Sequence, residues 1–220
     1  MPRQFIDVSH TVAHGLITYK GLPAPLICDF LSREQSRSHY APGTEFQIGK
    51  IEMVANTGTY LDAPFHRFAH GADLADLPLT GLADLEAVVV GAAPGRRAID
   101  EGAFDGLALQ GKAVLVHTGW SRHFGSEQYF EGHPYLTEGA AQCLREAGAA
   151  LVGIDSLNID DTADGRRPVH TTLLAGAIPI VEHLTRLDAL PAAGFKFFAV
   201  PVKVRGMGTF PVRAFGLLSE

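Results

Sequence analysis

The sequence predicts a mixed α/β fold, in which a mixed or antiparallel β-sheet or barrel is flanked by helices. Segments with strand-type patterns recur along the whole chain, whereas few segments show helical periodicity. Strands and helices do not alternate regularly, which argues against a sheet made only of βαβ units. With 220 residues, of which 46% are hydrophobic and 19% charged, the chain can bury one large core. We therefore expect residues 1–220 to form a single domain.

Several strands are predicted from apolar patterning. Residues 5–10 and 46–54 alternate apolar and polar side chains, as half-buried strands do, and the second of these is expected to lead into residues 56–66. Pro179 indicates either that its strand lies at a sheet edge or that the strand starts at this residue. The other predicted strands cover residues 87–91, 113–119, 150–154, 178–181, 195–200 and 212–217.

One helix has clear boundary signals. Thr137 is a plausible N-cap, and Gly148 suits the position just past a helix end. The apolar positions between them recur at helical spacing; they are Ala140, Ala141, Leu144 and Ala147. A second, short helix is predicted to begin near residues 170–175.

Composition and charge exclude some classes of function. No apolar run approaches the roughly 20 residues of a membrane helix, and the N-terminus lacks a signal-peptide pattern, so a cytoplasmic location is expected. The net charge is −6 without a cluster of Lys or Arg, which argues against nucleic-acid binding. Cys28 and Cys143 lie far apart and are interpreted as reduced thiols.

Residues 15–25 are rich in glycine and proline and predict a long irregular loop. Tyr19 and Phe30 can line a pocket for a flat substrate or, alternatively, anchor this segment to the core. Both interpretations remain open from the sequence alone.

The most informative stretch is residues 56–66. Gly58 permits a backbone bend, and Pro64 restricts Ala63 to an extended conformation, so a stiff loop is expected. Asp62 and His66 project from it, and a carboxylate beside an imidazole can bind a metal ion, move a proton, or do both.

Two distant residues extend this hypothesis. His170 and Glu182 stand at predicted element boundaries beside apolar sequence, where a buried ionisable group needs a partner. One Asp, one Glu and one His can hold Zn²⁺ or Mn²⁺ and leave a position for water. His183 is expected either to position a metal-ligating side chain without binding the ion itself or to lie on the surface. The polar residues 155–161 are turn formers or part of a site.

These residues resemble the cyclase family of metal-dependent hydrolases, which includes the bacterial kynurenine formamidases of tryptophan catabolism. The family hallmark is His-x-Gly-Thr-His-x-Asp-x-Pro-x-His, and residues 56–66 match it in register except at Asn56 and Tyr60. Residues 6–10, 118–120, 153–155, 169–182 and 210–214 extend the resemblance over nearly the whole chain. It implies the family's swivelling β/β/α-like fold.

The resemblance also implies a metal site. In the family, the positions of Asn56, Tyr60 and Asp62 bind one ion, and those of Asp62, His170 and Glu182 bind a second. An amide and a neutral phenol are poor Zn²⁺ ligands. One divalent ion, Zn²⁺ or Mn²⁺, is therefore expected on Asp62, His170 and Glu182, with the other site weakened or absent.

The implied activity is hydrolysis of a C–N amide bond in a small aromatic or cyclic amide, with His66 as the acid/base. Asn56, Tyr60 and Tyr19 are the expected substrate-binding residues. The family also implies a homodimer or homotetramer. Two alternatives remain: a metal-assisted cyclisation or dehydration, and a small-molecule-binding protein without catalysis.

Overall fold

The computed structural model describes residues 3–93 and 95–218, and within them one nine-stranded sheet dominates the fold. The strands are β1 (Gln4–Asp7), β2 (Leu26–Leu31), β3 (Ile48–Glu52), β4 (Tyr60–Asp62), β5 (Leu85–Gly91), β6 (Ala98–Ile99), β7 (Ala113–His117), β8 (Tyr135–Leu136), β9 (Leu151–Ile154), β10 (Ile180–Glu182), β11 (Ala193–Phe198), β12 (Thr209–Pro211) and β13 (Phe215–Leu218). The helices are α1 (Arg33–Ser36), α2 (Glu138–Glu146) and α3 (Pro168–Ala175).

The main sheet is mixed, as the sequence predicts. Its strand order is β1-β13-β11-β5-β7-β9-β10-β4-β12. The central strands β5, β7, β9 and β10 pair in parallel, and the outer strands on both sides pair antiparallel. The mixed α/β fold class is thereby confirmed.

Two apolar cores lie on opposite faces of this sheet. In β7, Val114 and Val116 belong to the core beneath α2 and α3, whereas Leu115 belongs to the core on the other face. Successive side chains of a strand point to opposite faces. Burial on both faces explains why β7 is a continuous apolar run rather than an alternating one.

The predicted helix boundaries at residues 137–148 are confirmed. The side chain of Thr137 accepts a hydrogen bond from the Ala140 N–H at 3.1 Å, and Gly148 has a φ of +72°. The short helix predicted near residues 170–175 is α3, which begins two residues earlier at Pro168. Proline is favoured at this position because the first turn needs no N–H donor.

The expectation for residues 46–54 is partly wrong. β3 pairs with β2 in a hairpin outside the main sheet, and all residues of β3 are exposed. Phe30, on β2, is 72% exposed and does not line a pocket with Tyr19. The alternation of apolar residues indicated a strand correctly, but it cannot show whether a sheet core covers the apolar side.

Two smaller points complete the fold. Pro179 precedes β10, which lies between β9 and β4, so it marks a strand start rather than a sheet edge. Among the described residues, no helix is both long and apolar enough to cross a membrane.

Leu115 provides a test of the core. It is fully buried, and a Cβ at the facing Gly153 would come within 2.9 Å of its Cδ2 atom, so the site is tightly packed. We expect Leu115→Ala to lower the free energy of unfolding by about 2–5 kcal/mol, because the substitution leaves a cavity. Leu79→Ala, at a residue 65% exposed, is the matched control. Similar losses for both variants in urea denaturation would contradict this packing.

Candidate functional site

The predicted site residues converge at one end of the pairing between β4 and β10. In this antiparallel pair, Tyr60 lies opposite Glu182, and Asp62 lies opposite Ile180. Opposite residues and every second residue share a face of a sheet. Tyr60, Asp62 and Glu182 therefore lie on the face that α3 covers, and α3 carries His170.

Residues 56–66 form a strand followed by a 3-10 turn rather than only a loop. Gly58 has a φ of +66°, and a Cβ there would lie 2.8 Å from Val12 Cγ2. Ala63 is extended, and Pro64 begins a short 3-10 helix, Pro64–His66. The conformations expected for Gly58 and Ala63 are confirmed. They place Asp62 at the strand end and His66 one turn beyond it.

Three residues can offer ligand atoms to a single ion. Ligand atoms of Asp62, His66 and His170 all lie within 4.8 Å of one another. Asp62 is fully buried, and among the described residues no hydrogen-bond donor reaches its Oδ2 atom, which lies 3.6 Å from His170 Nε2. A buried carboxylate oxygen without a donor is costly unless a cation approaches it. This geometry fits a divalent cation.

Asp160 fixes the orientation of the His170 ring. Its Oδ2 atom lies 2.6 Å from His170 Nδ1 and also accepts the His170 backbone N–H at 3.0 Å. A proton on Nδ1 leaves the lone pair of Nε2 free. The Nε2 atom lies toward Asp62 and Glu182. Metal-binding histidines commonly donate their second N–H to a carboxylate in this way.

Thr209 performs the corresponding role for His66. Its hydroxyl group donates to Asp62 Oδ1 and lies 2.8 Å from His66 Nδ1. Because its single proton goes to Asp62, Thr209 must accept the Nδ1–H of His66. The Nε2 atom of His66, a residue at the pocket surface, then carries a lone pair that can accept a proton.

Glu182 is buried, and both of its carboxylate oxygens have donors. Oε1 accepts the Ile159 N–H at 2.6 Å and lies 3.7 Å from His170 Nε2, while Oε2 accepts the Tyr60 hydroxyl at 2.7 Å. Burial and the charge of Asp62 raise the pKa of Glu182 to about 7, against the lowering effects of His170, Tyr60 and Ile159. The carboxylate is held in place but is costly to ionise without a neighbouring cation.

Charge balance at His170 also indicates a cation site. Burial alone lowers its pKa, but the hydrogen bond to Asp160 and the nearby carboxylates of Asp62 and Glu182 raise it to about 10. A proton on His170 therefore balances the buried carboxylates in the absence of other cations. Binding of a metal ion to Nε2 would displace that proton.

Tyr60 belongs to a buried hydrogen-bond chain. Its hydroxyl donates to Glu182 and lies 3.3 Å from His183 Nε2, and the Tyr129 hydroxyl lies 2.8 Å from His183 Nδ1. Burial lowers the pKa of His183 to about 3 and, with the charge of Glu182, raises the pKa of Tyr60. Tyr60 is thus a neutral phenol that holds Glu182, and His183 supports it from the interior rather than lying on the surface.

A pocket of about 320 Å³ opens over these groups. It is lined by most of the residues that the sequence analysis selected, namely Tyr19, Asn56, Tyr60, His66, His170 and Glu182. Tyr19 is fixed there because its hydroxyl donates to the Leu157 carbonyl at 3.0 Å and accepts the Asn158 side-chain N–H at 2.6 Å. The volume is that of a small-molecule site.

The sequence analysis did not select several residues that shape this site. Asp160 was included only in the polar segment 155–161, for which turn chemistry was the favoured interpretation. Thr209, Arg67 and Arg167 were missed. Thr209 contacts Asp62 across 147 residues of chain, and no local pattern signals such a contact.

Comparisons with known proteins agree with this geometry. The family model named Cyclase matches residues 6–161. The chain belongs to the cyclase family. It is similar to the kynurenine formamidase of Geobacillus thermodenitrificans, with 30% identity over 97% of both chains, and to that of Bacillus cereus, with 28% identity over 96% of both.

A solved structure described as a potential metal-dependent hydrolase with cyclase activity has a TM-score of 0.82 to this chain. The two share 25% identity, and the match covers 100% of each chain. This match confirms the cyclase-family fold that the sequence predicts.

The contact between Asp160 and His170 can be tested directly. We expect Asp160→Asn to weaken Zn²⁺ or Mn²⁺ binding by about 10–100-fold, because a neutral amide no longer favours the Nδ1–H tautomer of His170. Competition with a chromophoric chelator measures the affinity. Asp164→Asn is the control, since Asp164 pairs with the exposed Arg166 outside the site. Equal affinities for wild type and Asp160→Asn would contradict this role.

Proposed function

We propose that this protein is a metal-dependent hydrolase that cleaves the C–N amide bond of a small aryl amide, of the arylformamide type. The observation that carries the proposal is the donor-free Oδ2 atom of buried Asp62, which lies 3.6 Å from Nε2 of the pocket-lining His170. The similarity to kynurenine formamidases over nearly the full chain supports amide hydrolysis.

In this proposal, Asp62, His170 and Glu182 hold one divalent ion, either Zn²⁺ or Mn²⁺. His66 lies close enough to join Asp62 and His170 as a ligand, but the proposal assigns it to proton transfer. The donor set of carboxylate oxygens and an imidazole nitrogen suits both metals. When bound, the ion supplies Lewis-acid polarisation of the scissile carbonyl and acidifies water. A second ion on Asn56 and Tyr60 is not expected, because burial and Glu182 keep the Tyr60 phenol protonated.

His66 is the proposed acid/base. Its Nε2 lone pair accepts a proton from the attacking water, and the resulting imidazolium keeps its Nδ1–H on Thr209. As the C–N bond breaks, the same proton passes from Nε2 to the leaving nitrogen. Water thus adds to the acyl carbon and the amine departs neutral. The acyl group leaves as a carboxylic acid, which releases its remaining proton to solvent and becomes a carboxylate.

The neighbouring side chains position the substrate. Tyr19 and Asn56 line the pocket wall, where they can contact the ring and the polar atoms of the amide. Tyr60 is occupied as a donor to Glu182, so its proposed contribution is to hold that carboxylate rather than to donate a hydrogen bond to the substrate oxygen.

A metal-assisted cyclisation or dehydration is the second candidate, and the solved structure described with cyclase activity favours it. It would use the same proton acceptor, His66, without net addition of water. A substrate panel separates the two reactions, because only hydrolysis releases a free amine together with a carboxylate.

We propose that residues 1–220 act as one domain in the cytoplasm and assemble as a homodimer or homotetramer. The β2–β3 hairpin supports the assembly, since it exposes apolar side chains outside the main sheet. These are Leu26, Ile27, Phe30, Ile48 and Ile51.

The proposed function is tested with aryl formamides on protein loaded with Zn²⁺ or Mn²⁺. We expect wild type to release formate from formanilide or from formamidobenzoates, and His66→Gln to lower kcat by about 10²–10⁴-fold through loss of proton transfer. His39→Gln, at an exposed histidine outside the site, should change kcat little. Absence of formate release by wild type, or an undiminished kcat in His66→Gln, would refute the proposal.

A further inference from the structure

Two arginines line the pocket beside the reactive groups. Arg67 follows His66 directly, and Arg167 is the N-cap residue of α3, three residues before His170. Within residues 3–93 and 95–218, neither guanidinium group lies within 4.0 Å of a carboxylate oxygen. Both positive charges therefore face the pocket without a protein counter-ion.

The contrast with a neighbouring arginine is informative. Arg166 lies next to Arg167 in the chain, points to solvent and pairs with Asp164, with Nη2 at 2.7 Å from Oδ2. Some arginines elsewhere on the surface also have acidic partners, such as Arg96 with Asp100 and Arg213 with Asp7. Others, such as Arg145 and Arg186, have no carboxylate oxygen within 4.0 Å in the described part of the chain, but they do not line this pocket. The pair on the pocket wall thus differs from these surface arginines.

Neutral acceptors hold the two pocket arginines in position. The Arg67 Nε–H donates to the Thr171 hydroxyl at 3.1 Å, and its guanidinium lies 5.4 Å from the Phe68 ring centroid. Arg167 Nη1 donates to the carbonyl of Asp161 at 3.0 Å. Each contact uses only part of the guanidinium, so further N–H donors remain for a ligand. A fixed guanidinium suits bidentate binding of a carboxylate.

The charge distribution also determines where an anion can bind. Arg67 and Arg167 line the same pocket as His170 and Glu182, and they attract a carboxylate to their part of the wall. A divalent ion on Asp62, His170 and Glu182 would be balanced by its two carboxylate ligands, so the positive charge of the arginines would remain uncompensated. An amide with a carboxylate on its aryl part can therefore place the carboxylate at the arginines while its amide group lies beside His170 and Glu182. A pocket of about 320 Å³ accommodates one such ring.

We propose that Arg67 and Arg167 form a carboxylate-binding subsite and that the substrate is an anionic aryl amide, which carries a permanent carboxylate on the part retained after cleavage. This inference rests on the proposed amide hydrolysis and specifies its substrate class. The arginines are specificity residues here, because they contact the substrate away from the bond that breaks.

Matched substrates test the inference. Formanilide is the neutral compound, and 2-, 3- and 4-formamidobenzoate add a carboxylate at each ring position. We expect wild type to prefer at least one formamidobenzoate over formanilide in kcat/KM. Arg67→Gln and Arg167→Gln should each lower kcat/KM for that compound by about 10–100-fold, mainly through KM, because a charge-assisted hydrogen bond is lost. Their activity on formanilide should change little.

Arg166→Gln is the matched control, since this neighbouring arginine lies outside the pocket. It should behave as wild type with every substrate. Thermal unfolding of all variants shows whether the fold is intact, and a merely structural role for the arginines would reduce activity on formanilide and formamidobenzoate alike. That result, or hydrolysis of formanilide by wild type without any preference for the anionic compounds, would overturn the inference and leave the proposed function intact.

If wild type hydrolyses no formamide, the proposed function is refuted. In that case, equilibrium binding of ligands with and without a carboxylate still tests the arginine subsite. Calorimetry would compare the three aminobenzoates with aniline. Tighter binding of an aminobenzoate by wild type, lost in Arg67→Gln and Arg167→Gln but kept in Arg166→Gln, supports the carboxylate subsite. Equal binding of aminobenzoates and aniline overturns it.

Discussion

The site depends on the buried carboxylate of Asp62, because one of its oxygens lacks a hydrogen-bond donor among the described residues. An ionised carboxylate in the interior is strongly unfavourable unless positive charge compensates it. Glu182 and Asp160 add two more acidic groups around His170. The raised pKa of His170 shows how strongly this arrangement attracts a cation, whether a proton or a metal ion.

The sheet supplies the geometry that this charge cluster requires. β4 and β10 are antiparallel neighbours, so Asp62 and Glu182 share one face, and the N-terminal part of α3 lies against that face with His170. Thr209 comes from β12, on the other side of β4, and links Asp62 to His66. Residues from four separate segments are thus fixed by regular backbone pairing rather than by flexible loops, which favours precise positioning of reactive groups.

Local sequence signals predicted much of this arrangement. Gly58 and Pro64 indicated the backbone shape around Asp62, and Thr137 and Gly148 marked a helix correctly, since each of these signals acts within a few residues. Predicted element boundaries beside apolar sequence pointed to His170 and Glu182 as candidates, and the family resemblance assigned them with Asp62 to one ion.

Other features could not be predicted because they depend on tertiary contacts. β3 has the alternation of a half-buried strand but lies in an exposed hairpin. Thr209 and Asp160 become important only when the fold brings them to His66 and His170. The unpaired charges of Arg67 and Arg167 are visible only when the surrounding carboxylates are located, since a sequence does not show which arginines have partners.

The most direct test of this account is the metal content of protein purified without chelator, measured by elemental analysis for wild type and His170→Ala. The account predicts about one Zn²⁺ or Mn²⁺ per chain in wild type, because it proposes Asp62, His170 and Glu182 as one ligand set, and it predicts loss of the ion in His170→Ala. No metal in wild type even after loading with Zn²⁺ or Mn²⁺, or an unchanged metal content in His170→Ala, would contradict it.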